Sequence, residues 1–380
     1  MNPMRVPFLD LALQYRSLQS VLDPAIKKVM ETGVFIGGDA IDRFERDFAA
    51  RLEIPHCIGV GNGTDALFLA LKALGVGPGH RVITAANSFI ASAEAITMTG
   101  AAPLFVDCES ESYLMNLTQV EEALSKARGA SAPIKAIIPV HLYGRAVNME
   151  KLMSLASHYR VSVVEDCAQA HFAKWKNQSV GTFGEIGCFS FYPGKNLGAY
   201  GDAGAIVTRR EDLALALRKL HDHGRTEKYA HEVPGVNSRL DALQAAVLNV
   251  KLPRVREWTE KRRQHARQYR EALDSVSGIA LPDSPNDESH VFHLFVIRTK
   301  FREALRRALQ DKGISTGVHY PVALPNTQAY KTPGSRPEDY PIASAYQEEV
   351  LSLPMFPELT VEQIAYVADH VKHHLKEKVS

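Results

Sequence analysis

Short apolar runs rich in β-branched residues alternate with stretches whose apolar residues recur every three to four positions. The runs Cys57-Ile58-Gly59-Val60, 80–84, 102–107, 134–140 and 161–166 read as buried strands of a parallel sheet, where both faces are covered. Between them, Ile41, Phe44 and Phe48 share one helical face, and so do Leu67, Leu71 and Leu74. The pattern predicts helices over 15–30, 39–50, from 63 or 64 onward, 91–98, 117–126, 149–158 and 211–221. Strand and helix alternating in this way predict an α/β domain with a mostly parallel central sheet. Further on, Ser238 with Asp241 has the spacing of a capping box and opens a long helix that Pro253 interrupts or shifts. A charged helix over 258–273, strands over 291–297 and 314–321, a helix over 301–310 and a last helix carrying Ile364, Val367 and Val371 complete the pattern. We therefore expect a large domain over 1–250 and a smaller α+β domain over 251–380.

Composition narrows the class of protein. With 380 residues, 45% hydrophobic, 23% charged and a formal net charge of +1, the chain can fill a large core and gathers no basic patch that would favour nucleic acid. Cys57, Cys108, Cys167 and Cys188 lack disulfide or zinc spacing, and the histidines form no zinc motif, so reduced core thiols and no metal are expected. There is no apolar run long enough for a membrane span, and the opening residues lack a signal peptide's hydrophobic region. A cytoplasmic enzyme is the expectation.

The candidate chemistry centres on one lysine. Cys188, Phe189, Phe191 and Tyr192 read as a buried aromatic strand that delivers Lys195 into a turn marked by Pro193, Gly194 and Gly198. A lysine held from water there would have a lowered pKa and could act as an amine nucleophile. From this segment alone, a surface turn lysine beyond a strand end is the favoured reading. Upstream, Val161-Ser162-Val163-Val164-Glu165-Asp166 brings Asp166 to the carboxyl end of a core strand, where open α/β sheets place ligands. A buried carboxylate needs a cationic partner, and the pyridinium nitrogen of pyridoxal phosphate is one. Gly61-Asn62-Gly63-Thr64-Asp65 opens a helix whose first N–H groups suit a phosphate, with the Asp65 carboxylate expected to turn away. Many strand–helix junctions share this composition.

Glu-Asp-Cys-Ala-Gln-Ala-His at 165–171, followed by Phe-Ser-Phe-Tyr-Pro-Gly-Lys-Asn-Leu-Gly at 189–198, resembles the DegT/DnrJ/EryC1/StrS family. These are nucleotide-sugar aminotransferases on the aspartate-aminotransferase fold (fold type I), and the resemblance covers nearly the whole chain. It implies pyridoxal 5′-phosphate joined to Lys195 as a Schiff base, Asp166 on the ring nitrogen, Gln169 at the ring hydroxyl and Phe89 on the ring face. It implies a phosphate held beside Gly63 by N–H groups of Thr64 and Asp65, by Ser190, and by Asn237 of a second subunit in a homodimer. The residues themselves would leave Asn237 and Arg239 a loop pair, and His319 and Tyr320 a buried strand end. By resemblance, Phe35, Arg225, Tyr229, Arg239, His319 and Tyr320 lie on the substrate side. His171 is expected to support Asp166 by a hydrogen bond, and Tyr143 to be structural.

The implied reaction takes nitrogen from L-glutamate and passes it to C3 of a dTDP-3-keto-6-deoxyhexose, a precursor of O-antigen, S-layer or antibiotic sugars. The alternative is C4 of a UDP- or dTDP-linked 4-keto-6-deoxy sugar. Two departures stand out: Phe172 where the family often has glycine, and Leu-Pro-Asn-Thr-Gln at 324–328 where members commonly have Pro-x-His-x-Gln. An intact Lys195 sets the chain apart from relatives that lost the lysine and became dehydratases. A lyase of the same fold, and a binding protein with a dead cofactor site, are the rival classes.

Overall fold

The computed structural model describes residues 4–129, 131–283, 288–332, 334 and 336–379. Its centre is a seven-stranded sheet built from β1 (His56–Val60), β2 (Arg81–Ala85), β3 (Ala102–Val106), β4 (Ile134–Ile138), β5 (Ser162–Asp166), β6 (Ile186–Ser190) and β7 (Gly204–Thr208). The strand order is β1-β7-β6-β5-β4-β2-β3. Strands β6, β5, β4, β2 and β3 are mutually parallel, while β7 runs antiparallel to both β6 and β1. Two reversals bring β1 back to the direction of β6. The carboxyl ends of β1, β5 and β6 therefore share one edge, with Asp166 opposite Cys188, and Gly204 between Val60 and Ser190.

Alternate residues of these strands enter different cores, as a period of two requires. Ile58, Val60, Cys188 and Ile206 join one apolar cluster. Cys57, Phe189 and Val207 join another, with Phe44 and Phe48 of the helix Asp39–Leu52. A third cluster gathers Tyr269, Phe295, Leu305, Leu351, Val367 and Val371, and Val6 from the opening segment packs into it. Its strands, β8 (Phe295–Arg298) and β9 (Val350–Leu353), form an antiparallel pair. Among the described residues, no helix is long and apolar enough to cross a membrane.

Several element boundaries differ from the sequence pattern for identifiable reasons. The first helix runs Leu11–Thr32, because Asp10 caps the Leu13 N–H at 2.7 Å and Gly33 ends it in the left-handed region. The break at Pro253 is present, as a tight turn over Leu252–Arg254 between the helices Ala242–Lys251 and Val255–Leu273. The expected Ser238–Asp241 capping box does not form, and the helix begins only at Ala242. The Ser238 hydroxyl instead donates to Asp65 Oδ2 at 2.7 Å and accepts the Gly61 N–H at 3.0 Å. Val291 and Leu294 are buried but unladdered, since their N–H groups go to the carbonyls of Gly144 and Tyr143. The segment 314–321 makes isolated bridges at Ile314 and Gly317 rather than a strand, and 225–231 folds into a small hairpin.

Candidate active site

Asp166 ends β5 with 6% of its surface exposed. Its Oδ2 accepts the Ser92 hydroxyl at 2.9 Å and its Oδ1 accepts the Ala168 N–H at 3.1 Å. Burial pushes its pKa up, against the pull of those two hydrogen bonds and the nearby Lys195 charge. The carboxylate is thus fixed in place and short of positive charge. Glu165 has a different task. It accepts N–H groups from Gly181, Phe183 and Gly184 at 2.7 to 2.8 Å, and His141 Nε2 lies 3.2 Å away. His141 Nδ1 accepts the Val147 N–H, which leaves the ring proton on Nε2 facing Glu165. His141, Glu165 and Cys167 offer donor atoms within 4.8 Å of one another, yet the His and Glu atoms are already engaged, so we read the cluster as a staple of the β5 end.

The Lys195 segment is a closed loop. Phe191 N–H meets the Ala203 carbonyl, Ala199 N–H returns to the Phe191 carbonyl, and Lys195 N–H bonds the Tyr192 carbonyl, each at 2.8 Å. Asn196 ties the loop to the chain entering β8: its amide donates to the Val291 carbonyl at 3.0 Å, and His293 Nδ1 lies 3.2 Å from its Oδ1. Burial lowers the Lys195 pKa to about 8, with Asp166 acting in the opposite sense. Burial first, and then the Lys195 charge, also lower the pKa of His171 to about 3 and of His319 to about 4, and that of His293 well below the usual range. All three rings are therefore neutral at pH 7 and add no positive charge beside the amine. Among the described residues no hydrogen bond joins His171 to Asp166 as expected; the ring lies against Phe189 and Phe191, and its polar partner is the Ser190 backbone, which opposes the effect of burial.

The helix Gly63–Ala73 starts at the same sheet edge. Its first ladder bond runs from Ala66 N–H to the Asn62 carbonyl, so the N–H groups of Gly63 and Thr64 lie ahead of the ladder. The Asp65 N–H donates to Asn62 Oδ1 at 2.8 Å. The Asp65 carboxylate turns toward Ser238 and the Asn62 amide, the orientation expected of it. Glycine at 63 is required by close approach, because a Cβ there would stand 2.6 Å from Ser190 Cβ. The helix end and the Ser190 side chain thus lie close together at the end of β6, an arrangement suited to an anion.

On the adjoining side, Gln169 Oε1 accepts the Tyr143 N–H at 2.6 Å and its Nε2 donates to the Tyr320 hydroxyl at 2.9 Å. The Phe89 ring, 53% exposed, lies 5.8 Å from that of Tyr320. The Tyr143 hydroxyl donates to the His319 carbonyl, while His319 Nδ1 is 2.8 Å from Ser352 Oγ. The Tyr143 strut between Gln169 and His319 has no local signature in the sequence. A second group of expected residues sits on exposed loops: Phe35, Asn237 and Tyr229, the last 82% exposed. Arg225 and Arg239 both pair with Asp222, at 2.6 and 3.1 Å. Among the described residues, no hydrogen bond, ion pair or ring contact joins this group directly to Lys195 or Asp166; Ser238, beside Asn237, bonds Asp65 in the helix Gly63–Ala73.

A lowered lysine amine, a buried carboxylate and an anion-ready helix end on one sheet edge can be compared with known proteins. The family model for DegT/DnrJ/EryC1/StrS aminotransferases matches residues 17–372. The chain belongs to the DegT/DnrJ/EryC1/StrS aminotransferase family. One relative, named dTDP-3-amino-3,4,6-trideoxy-alpha-D-glucose transaminase, from Streptomyces venezuelae, is 41% identical over 97% of this chain and 96% of its own length. Another, named UDP-N-acetyl-3-dehydro-alpha-D-glucosamine 3-aminotransferase, from Acidithiobacillus ferrooxidans, is 41% identical over 97% of this chain and 98% of its own. The solved structure of NtdA from Bacillus subtilis with bound cofactor PMP matches with a TM-score of 0.89 at 29% identity, covering 98% of this chain and 85% of that one. As a DegT-family member the chain is a pyridoxal-phosphate-dependent aminotransferase of fold type I. The residues fit the cofactor: Asp166 lacks a full counter-cation, Lys195 supplies an amine of lowered basicity, and the Gly63–Ser190 approach leaves unladdered N–H groups for a phosphate.

Proposed function

We propose that this aminotransferase moves an amino group from L-glutamate to the C3 keto group of a dTDP-linked 3-keto-6-deoxyhexose, giving the 3-amino-3,6-dideoxy sugar nucleotide and 2-oxoglutarate. The observation that carries C3 over C4 is that both relatives at 41% identity, on different nucleotides, are named for amination at position 3. The Acidithiobacillus relative favours one second reading, a UDP-linked 3-keto sugar.

When bound, pyridoxal phosphate supplies an aldehyde for the amine and a protonated ring that draws electron density from the substrate carbon. Asp166, fixed by Ser92 and Ala168, holds the ring nitrogen protonated in a place where burial strengthens the attraction. Lys195 would hold the cofactor through its amine and, with that amine free, would hold and move the proton at the reacting carbon. The N–H groups of Gly63 and Thr64 and the Ser190 hydroxyl hold the phosphate. The Asp65 N–H joins them only by giving up Asn62. Phe89 would cover the ring face, and Gln169, whose Nε2 donates to the Tyr320 hydroxyl, would meet the ring hydroxyl. In a homodimer, Asn237 from a second subunit completes the phosphate site, and Phe35, Arg225, Tyr229 and Arg239 join His319 and Tyr320 around the sugar nucleotide.

The lowered Lys195 pKa predicts a pH profile. Only the neutral amine attacks an aldehyde, so cofactor uptake by apo-protein should climb about tenfold per pH unit until pH about 8 and then level off. An exposed lysine would keep climbing to roughly pH 10.4. Stopped-flow absorbance across the pH range checks this.

The substrate reading is tested by exposing the loaded protein to L-glutamate and then to dTDP- and UDP-linked 3-keto and 4-keto sugars. The expected result is return of the cofactor's original absorbance fastest with the dTDP-linked 3-keto sugar. Fastest return with the UDP-linked 3-keto sugar would establish the second reading, and reaction with 4-keto sugars alone would overturn both.

A further inference from the structure

A second buried amine stands beside the Lys195 loop. Lys251, the last residue of the helix Ala242–Lys251, is 0% exposed. An ammonium removed from water costs stability unless it is bonded, and an apolar chain of the same length would fill this space without that cost. Lys251 Nζ donates to the Gly198 carbonyl at 2.8 Å and sits 4.1 Å from the centroid of the Tyr200 ring. Both partners belong to the chain leaving the Lys195 turn.

Gly198 is the neck of that loop. A Cβ there would stand 2.3 Å from the Pro193 carbonyl oxygen and 2.9 Å from that of Tyr192, so the two strands of the neck touch. The same helix holds the next turn of chain as well, where Gln244 Oε1 accepts the Tyr200 N–H at 2.8 Å. With Asn196 anchored to Val291 and His293, the chain leaving Lys195 is held at 196, at 198 and at 200. Glu358 is the acidic group that faces Lys251 and opposes the effect of burial, which lowers the Lys251 pKa to about 7. Arg262 faces the same Glu358, and Tyr15 and Asp23 act on Tyr200.

We propose that Lys251 is a positioning residue for Lys195: by bonding Gly198 and seating on Tyr200 it fixes the loop neck, and with it the place of the Lys195 amine against Asp166. The inference rests on Lys195 being the cofactor-bearing amine. The Lys251 amine meets the loop at the residue where its two strands approach most closely.

The test uses the full-length protein with pyridoxal phosphate, as Lys251→Met, Lys251→Gln and a neighbouring control, Leu252→Ala, whose side chain is buried. Three quantities are read: Tm, the rate of cofactor release on dilution, and the pH midpoint of the Lys195-bound cofactor's absorbance. Lys251→Met is expected to release cofactor roughly 10- to 100-fold faster and to move the midpoint, as a misplaced reacting group would. Lys251→Gln keeps an N–H donor and should recover part of both. Leu252→Ala should lower Tm while leaving release and midpoint at wild-type values. Wild-type release and midpoint in the Lys251 variants would overturn the proposal, and so would equal changes in Leu252→Ala. If Lys251→Met does not fold, Lys251→Gln carries the comparison; failure of both would make Lys251 a determinant of the fold and overturn the positioning role. A wild-type protein that forms no covalent bond to the cofactor would instead refute the reading of Lys195.

Discussion

Lys195→Ala is expected to stop transamination, with kcat lowered by at least about 10³-fold, because one side chain both carries the cofactor and moves the proton. Lys251, a second buried amine, is engaged by the Gly198 carbonyl. The loss should not come from misfolding. Burial lowers the Lys195 pKa from 10.5 to about 8, so the native state pays for holding this ammonium. That cost is full below pH 8, where folded and unfolded chains are both charged. Between the two values the unfolded chain binds more protons, so stability rises with pH and the cost fades. Compared as apo-proteins, the alanine variant should therefore equal or exceed the wild-type Tm at pH 7, and its stability should rise less than the wild type's between pH 8 and 10.5. Steady-state turnover beside thermal melts at pH 7 and 9.5 checks both parts.

Asp166→Asn is the second large effect, and its signature differs. The variant keeps nearly the same shape but loses the charge that holds the ring nitrogen protonated. The step with glutamate should slow by about 10²- to 10³-fold, the range for removing an electrostatic group aimed at developing charge. Covalent attachment to Lys195 should survive. Its pH midpoint should fall below about 8, since Asp166 is the group that raises the Lys195 pKa against burial. Single-turnover absorbance with L-glutamate, beside the uptake profile, separates the slow step from the intact attachment. An unchanged midpoint would mean that the two side chains do not interact.

What could be read from the chain was local. The strand ending in Asp166, the aromatic strand leading to Lys195, the helix opening at Gly63 and the break at Pro253 all follow from periodicity and punctuation within a dozen residues. The residues that tighten the site act over longer distances. Ser238 has the spacing of a capping residue, yet its hydroxyl is taken by Asp65, 173 positions away. Tyr143 reaches the His319 carbonyl across 176 positions, and Lys251 reaches Gly198 across 53. No periodicity encodes such pairings, because they depend on how β1, β5 and β6 come to end at one edge. His171 shows the same limit from the other side: its neighbours along the chain suggested support for Asp166, whereas the fold packs it between Phe189 and Phe191.

The site also explains why two carboxylates adjacent in sequence have different roles. Glu165 and Asp166 point to opposite faces of β5. Glu165 is surrounded by N–H donors and stabilises the turn at 181–184, while Asp166 has two donors and a nearby amine. The first is satisfied within the chain. The second has capacity left for a cation from outside.

Borohydride reduction of the pyridoxal-phosphate-loaded protein, followed by peptide mapping, locates the covalent bond without reference to activity. The account predicts a pyridoxyl label on Lys195 and none on Lys251. A label on any other lysine, with Lys195 unmodified, would contradict it.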